Sequence, residues 1–281
     1  MTLRTALLQG TRLLEEAGIA VPRLTAEVLL AQALGRDRVY LFAHPEHELA
    51  ELEWLHYGRY LHERMQGKPT QYITRRQEFF GREFRVGPDV LIPRPETEHV
   101  VEAALKRTAG VSRILDIGTG SGALAVTLAL ESGIETWATD ISPAAAMIAA
   151  ANARKLGAAV RFVVCDVASA IRPGSIDLIV SNPPYVPLAD RDGLQREVRD
   201  YEPHVALFGG PSGFDVYERV AAQAPLLLRP DGWLILELGF GSADHVAGLL
   251  GEWRDVHVEP DLAGIPRVIA ARNYRRQYPP Q

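Results

Sequence analysis

The sequence predicts an α/β fold, a sheet covered on both faces by helices and preceded by a small helical bundle and a hairpin. Three observations carry the prediction. From Arg113 onward, apolar strands alternate with helical patterns, the signature of a parallel sheet buried on both sides. The first of those strands runs directly into a glycine loop and a helix, from Ile114 to Ala123. Before about Pro69 the pattern is helical, with few strand signals.

Taken in order, Leu3, Leu7, Leu14 and Ala17 fall near helical spacing and Gly18 ends that segment. Thr25 is a plausible N-cap for a helix from Ala26 to Leu34, stopped by Gly35. Trp54, Gly58, Leu61 and Met65 repeat at four, three and four, one face of a helix that reads as core. From Gln71 to Val90, Phe79, Phe80, Phe84 and Val86 sit among Gly81, Gly87 and Pro88, which suggests a hairpin. Pro93 and Pro95 then fix an extended approach to a helix that begins at Glu96 or Thr97 and runs to about Arg107. Strands are placed at Arg113 to Asp116, Thr136 to Thr139, Val160 to Val164, Asp177 to Ser181, Trp233 to Leu238 and Val268 to Ala271, with a weaker one at Val256 to Val258. The domains expected are 1–70 (helical), 71–92 (hairpin linker) and 93–281 (the sheet domain). The tail from Arg275 to Pro280 is assigned no function.

Composition narrows the function classes. A chain of 281 residues with 47% hydrophobic and 23% charged residues is globular and long enough for a sizeable core. Its net charge of -5 argues against long-range attraction to nucleic acid, although a local basic groove is compatible with it. Cys165 is the only cysteine, so internal disulfides and multi-thiol metal sites are excluded. His44 and His47 flank Pro45, and no other histidine pair has ligand-like spacing, so no metal is expected. The N-terminus reaches Glu15 and Glu16 without a small-residue cleavage site, and no apolar run of about 18 residues exists. A soluble, cytoplasmic protein is expected.

Ligands of such sheets bind at the carboxyl ends of the strands, where every candidate motif falls. Gly118, Thr119, Gly120, Ser121 and Gly122 form the glycine loop. Alone it is ambiguous, because Gly118, Gly120 and Ala123 also satisfy the dinucleotide pattern. Asp140, about 20 residues on, suits the ribose hydroxyls of either cofactor. Asp116 before the loop, able to hold a methionyl ammonium or orient the loop, and Asp166 after the third strand, able to accept from an adenine amino group, favour S-adenosyl-L-methionine. Capping or turn formation is the bland alternative for each aspartate.

The fourth strand ends in Asn182-Pro183-Pro184-Tyr185. Two prolines after a buried strand force a turn with little freedom. The side-chain carbonyl of Asn182 and the backbone carbonyl of Pro183 can accept from the two hydrogens of a planar NH2 group, and Tyr185 can wall it in. That grip aims a weakly nucleophilic nitrogen at a sulfonium methyl, by positioning and pre-oriented dipoles. A lone proline turn is the bland alternative.

Together these residues resemble the HemK/PrmC family of protein-glutamine methyltransferases. The resemblance covers nearly the whole chain: Arg23 to Glu27, Gly67-Lys68-Pro69, Tyr72-Ile73, Glu78-Phe79, Phe84, Val90 to Glu98, the glycine loop, Asn182 to Tyr185, Tyr201-Glu202-Pro203, Ala206-Leu207 and Gly264 to Val268. It implies a small helical domain joined by a hairpin to a seven-stranded Rossmann-like class I methyltransferase domain. It further implies that Gly118 to Gly122 and Asp140 contact the cofactor, that Val167 lies against the adenine, and that Asn182 stands between cofactor and substrate. Asn182, Pro183, Pro184 and Tyr185 would hold the glutamine of a Gly-Gly-Gln tripeptide on class I peptide chain release factors, which the helical domain would help dock. One departure is visible: Arg75-Arg76 stands where the family usually places glycine, and a positive φ there would strain Arg75.

Three other functions compete. A ribosomal-protein glutamine methyltransferase is similar in loop and tetrapeptide but differs in the Pro93 to Glu98 stretch. An adenine-amino methyltransferase of DNA or RNA suits the same grip but needs a basic face or an added recognition domain. A cofactor-binding module without catalysis is disfavoured by the intact Asn182 loop. Cys165 reads as a strand-end residue, not a nucleophile.

Overall fold

The computed structural model describes residues 1–273, so the tail from Arg275 to Pro280 lies outside the described residues. The chain divides into two compact units, Met1–Arg76 with Gln195–Tyr201, and Gln77–Leu194 with the chain from Glu202 onward.

The first unit holds α1 (Leu3–Glu16), α2 (Pro22–Leu34), α3 (Arg38–Ala43), α4 (Glu51–Met65) and α5 (Thr70–Thr74). Leu3, Leu7 and Leu14 of α1, Leu29 and Leu30 of α2, and Tyr57 and Leu61 of α4 form one apolar core. Two sequence expectations are corrected here. Helix α2 begins at Pro22, because proline at the first helical position needs no N–H partner, and Thr25 lies inside the helix, buried. The buried face of α4 is Tyr57, Leu61 and Arg64, while Trp54 stays 36% exposed. Tyr57 takes the contact with α1, where a Cβ on Gly10 would come within 1.9 Å of the Tyr57 hydroxyl. Arg64 pairs with Glu197 at 2.7 Å and Tyr201 donates to the Gln66 carbonyl at 3.1 Å, which ties Gln195–Tyr201 to this unit. Arg75 does occupy the left-handed region (φ 61°), closing α5.

The second unit opens with a hairpin of β1 (Arg76–Phe79) and β2 (Arg82–Arg85). Phe80 and Gly81 turn it with φ of 49° and 69°, the handedness that two-residue hairpins need. Then follow α6 (Glu98–Leu105), β3 (Arg113–Ile117), α7 (Ala123–Ser132), β4 (Glu135–Asp140), α8 (Pro143–Leu156), β5 (Val160–Val164) and β6 (Ile176–Ser181). After α9 (Arg196–Tyr201, counted with the first unit) come α10 (His204–Leu207), α11 (Asp215–Leu227), β7 (Leu228–Glu237), α12 (Ala243–Leu249), β8 (Arg254–Pro260) and β9 (Pro266–Arg272).

The seven-stranded sheet has the order β5-β4-β3-β6-β7-β9-β8. Strands β3 to β7 pair in parallel, as their long apolar runs and intervening helices require. The last strand departs from the all-parallel expectation: β9 runs antiparallel to both β7 and β8. The five residues 261–265 between β8 and β9 make a hairpin and are too few for a parallel crossover. Two apolar layers sandwich the sheet, and Phe79 and Phe84 of the hairpin belong to one of them. Because successive strands leave β3 on opposite sides, the order reverses between β3 and β6, and that switch point is where a ligand crevice opens. No helix among the described residues is long and apolar enough to cross a membrane.

Candidate active site

A cleft of about 1120 Å³, its open mouth included, lies at the carboxyl ends of β3, β4 and β6. The glycine loop forms its floor. Gly118 and Gly120 have φ of 75° and 54°, and a Cβ on either would meet nothing within 4 Å, so the loop shows bare backbone. Gly122 (φ 84°) instead lets α7 pack on α8, where a Cβ would come within 3.1 Å of Ala149 Cβ. Asn152 of α8 donates to the Ser121 carbonyl at 2.8 Å and also bonds the Arg85 backbone, so one amide holds loop and hairpin together.

Hydrogen bonding resolves the ambiguity between cofactors. The N–H groups of Gly118 and Thr119 both donate to the Thr139 carbonyl at 2.9 Å, and that of Gly122 to Thr119 O at 2.8 Å. The Gly120 N–H donates to Asp140 Oδ2 at 2.8 Å. Four loop amides are thus used within the protein, and a carboxylate faces the loop where a pyrophosphate would need donors. A nucleoside with hydroxyls to offer fits this surface. Asp140 also accepts from Ser142 N at 2.8 Å, and burial holds its carboxyl above the ordinary value.

The remaining predicted residues divide by position. Thr119, Ser121, Asp166, Val167, Asn182, Pro183 and Pro184 line the cleft, and Asp116, Gly122 and Tyr185 do not. Asp116 is fully buried beneath the loop, where it accepts from Ala125 N at 3.2 Å and so anchors the start of α7; burial pushes it up to about 7. Asp166 is exposed and paired with Arg219, an arginine that sequence patterns do not flag, and that partner holds its carboxyl below the ordinary value. Val167 has φ 51°, a strained value for a β-branched residue, fixed as its carbonyl accepts from Thr139 Oγ1 at 2.7 Å.

Around the tetrapeptide the backbone is crowded into place. Ser181 donates to the Ile117 carbonyl at 2.7 Å, locking the ends of β3 and β6 together. A Cβ on Gly209 would come within 2.5 Å of the Pro184 carbonyl, and one on Gly213 within 2.5 Å of the Tyr185 carbonyl. The Tyr185 ring lies against Gly239, where a Cβ would come within 2.7 Å. Burial, with Glu237 nearby, pushes the Tyr185 hydroxyl up to about 12.

Asn182 Nδ2 donates to Thr97 Oγ1 at 3.1 Å, and Thr97 Oγ1 donates to Glu237 Oε2 at 2.6 Å. With its amide hydrogens turned to Thr97, Asn182 has its oxygen left for the cleft. Thr97 belongs to the stretch that contained the resemblance, and its neighbours have tasks of their own. Arg94 pairs with buried Glu202 at 2.5 Å, Glu96 approaches Arg267 at 3.9 Å, and Glu98 accepts from the strained Phe80 N–H at 2.8 Å. Sequence patterns gave Thr97 a place in that stretch but no role at the site, and did not single out Glu237 at all. The available signal was a lone acid in an apolar strand, Leu234-Ile235-Leu236-Glu237-Leu238.

An open sheet with this strand order, a bare glycine loop and a ribose-type carboxylate after β4 define the class of Rossmann-like methyltransferases. Among solved structures, a methyltransferase from Pyrococcus furiosus is similar with a TM-score of 0.52 at 18% identity, over 70% of this chain and 91% of that one. A 16S rRNA methyltransferase from T. thermophilus, solved with AdoMet and guanosine, gives 0.51 at 21% identity, over 71% and 50%. Both likenesses concern the fold. The family models for the PrmC N-terminal domain and the methyltransferase small domain match residues 5–74 and 97–196. The release factor glutamine methyltransferase of Koribacter versatilis is 49% identical over 97% of this chain and 99% of its own length. That of Moorella thermoacetica is 44% identical over 99% and 100%. The chain belongs to the release factor glutamine methyltransferase family.

Proposed function

We propose that this protein methylates the side-chain amide nitrogen of a glutamine, using S-adenosylmethionine, and that the glutamine is that of the Gly-Gly-Gln tripeptide of a class I peptide chain release factor. The carrying observation is the orientation of Asn182: its Nδ2 is tied to Thr97, and its Oδ1 has no hydrogen-bond partner among the described residues. An acceptor beside the Pro183 backbone, at the rim of a cleft, suits a ligand that brings two N–H hydrogens.

S-adenosylmethionine supplies a methyl group bound to a sulfonium, and the residues here fit it: bare loop backbone, Asp140 for ribose hydroxyls, and Val167 with Ile141 as apolar walls. The chain's own residues do the rest. Asn182 Oδ1 and the Pro183 carbonyl draw the amide hydrogens aside, which offsets part of the loss of amide resonance as the nitrogen becomes nucleophilic. Holding the nitrogen in line replaces a bimolecular encounter by a positioned one. As the nitrogen gains the methyl, the sulfonium–methyl bond would break to leave a neutral thioether, and the product amide releases its extra proton to water, so no strong base is needed before transfer. On the same reading Thr119, Ser121 and Asp166 face the cofactor, Pro184 lines the substrate end, and Asp116 and Gly122 shape the loop from beneath. Tyr185 stiffens the tetrapeptide from behind. The helical unit, with exposed Leu52 and Leu55 on α4, helps to dock the release factor.

Purified protein incubated with S-adenosylmethionine is expected to add one methyl to the Gly-Gly-Gln glutamine of a release factor, read by mass spectrometry. Transfer to an adenine-containing oligonucleotide with none to the release factor would overturn the assignment.

A further inference from the structure

Glu237 stands where an apolar residue would ordinarily be expected. It is 2% exposed at the end of an apolar strand, where a carboxylate costs free energy unless it is paired or used. Among the described residues its side chain makes one hydrogen bond, with Thr97.

We infer that Glu237 and Thr97 set the substrate selectivity of the site: by deciding which end of the Asn182 amide faces the cleft, they make it accept an NH2 group and reject a carboxylate. The inference rests on the glutamine assignment above. It follows from counting hydrogens. A threonine hydroxyl has one, and an ionised carboxylate has none. With Glu237 ionised, Thr97, 2.6 Å from its Oε2, spends its only hydrogen on that oxygen. What remains on Thr97 Oγ1 is lone pairs, so the neighbour at 3.1 Å must be the Asn182 NH2, not its oxygen. Turning the amide over would set oxygen against oxygen and leave Thr97 one acceptor contact short.

The consequence lies on the cleft side. With Oδ1 outward, Asn182 and the Pro183 backbone together offer acceptors only. A glutamine side chain supplies matching hydrogens, while a glutamate of the same shape brings two more acceptors and a negative charge. If the amide were free to turn, its NH2 would reach the cleft and a carboxylate would become tolerable. Glutamine and glutamate differ by an atom of nearly equal size, so shape alone cannot separate them, whereas a fixed hydrogen-bond polarity can.

The test uses the full-length protein, a release factor carrying Gly-Gly-Gln, and the same factor carrying Gly-Gly-Glu as a competitor that is not methylated. In the parent protein the Glu form is expected to compete at least about tenfold more weakly than the Gln form binds, the size of one polar mismatch. Thr97→Val, equal in shape but without the hydroxyl, should shrink that gap severalfold, lower kcat/KM by about tenfold, and leave cofactor affinity unchanged. Thr97→Ser should restore both selectivity and rate. Glu237→Gln, whose amide can donate to Thr97, should shrink the gap in the same direction and serves if Thr97→Val does not fold. Unchanged discrimination in the variants, or Thr97→Ser behaving as Thr97→Val, overturns the inference. A parent protein that fails to methylate the release factor instead overturns the assignment on which it rests, so the two failures are distinct.

Discussion

Titration of Glu237 should move stability and catalysis in opposite directions. Burial, the largest cause, and the nearby Glu96 push its carboxyl up to about 7 from an ordinary 4.5, against the opposing pull of the Thr97 hydrogen bond, Arg267 and Arg94. Tyr185 and Tyr217 also face this group. At 1.36 kcal/mol per pKa unit, the displacement corresponds to about 3 kcal/mol. Between pH 4.5 and 7 the folded protein holds a proton that the unfolded chain has released, so the contribution is fully present below 4.5 and is lost as pH rises through about 7. Asp116, pushed up to about 7 by burial, acts in the same sense. The acids held below their ordinary values, such as Glu27 and Asp261, act at lower pH. Urea unfolding of the parent and of Glu237→Gln at pH 5 and pH 8.5 isolates the term, because every other group is common to both. The parent should lose about 2.5 kcal/mol more than the variant across that interval, since part of the term is already gone at pH 5. Turnover should run the other way, rising with pH as Glu237 ionises, since only the carboxylate obliges Thr97 to donate. Equal pH dependence of unfolding in the two proteins would show that Glu237 titrates in the ordinary range, and the reasoning would fail.

Asn182→Ala should retain cofactor affinity by calorimetry and lose roughly 100-fold in turnover, the scale of removing one pre-oriented polar group; equal turnover removes Asn182 from the mechanism. Gly239→Ala should drive the Tyr185 ring from its place, costing about 1–3 kcal/mol by thermal unfolding and lowering turnover. Gly248→Ala in α12 meets nothing within 4 Å and should be neutral or stabilising by up to about 1 kcal/mol. Arg75→Gly should relieve the left-handed strain at the end of α5 and raise stability by up to about 1 kcal/mol, and a lowered unfolding midpoint would contradict the cost ascribed to that conformation.

The inner strands were legible because burial on both faces leaves unbroken apolar runs; six of the seven lie within two residues of their expected bounds, while β7 begins at Leu228, ahead of Trp233, and the weak signal at Val256 to Val258 matches the exposure of β8. The direction of β9 was not, because apolarity is the same in either direction; the short connection 261–265 held that information. Local propensity misled at Thr25, a good capping residue overridden by Pro22 one turn earlier, and at α4, where a regular stripe of Trp54, Gly58, Leu61 and Met65 drew attention from Tyr57, the residue that is buried. At the site, Gly118, Asp140 and Asn182 announced themselves by lying next to strand ends. The Thr97–Glu237 pair did not, because the partners are 140 residues apart and neither is chemically conspicuous until the fold joins them. Asp166 was visible, but its partner Arg219, some fifty residues later on α11, was not.

The stretch from Arg94 to Glu98 acts on the protein as a key acts on a lock. Its successive teeth engage Glu202, Arg267, Glu237 with Asn182, and the tip of the hairpin at Phe80. What such a device cannot tolerate is a change of spacing. A substitution blunts one tooth, whereas deleting or inserting a single residue misaligns the rest together, so that Thr97 would leave Asn182 as Glu98 left Phe80. The count of residues between Pro93 and α6 is thus a quantity under tighter physical constraint than the identity of any one of them.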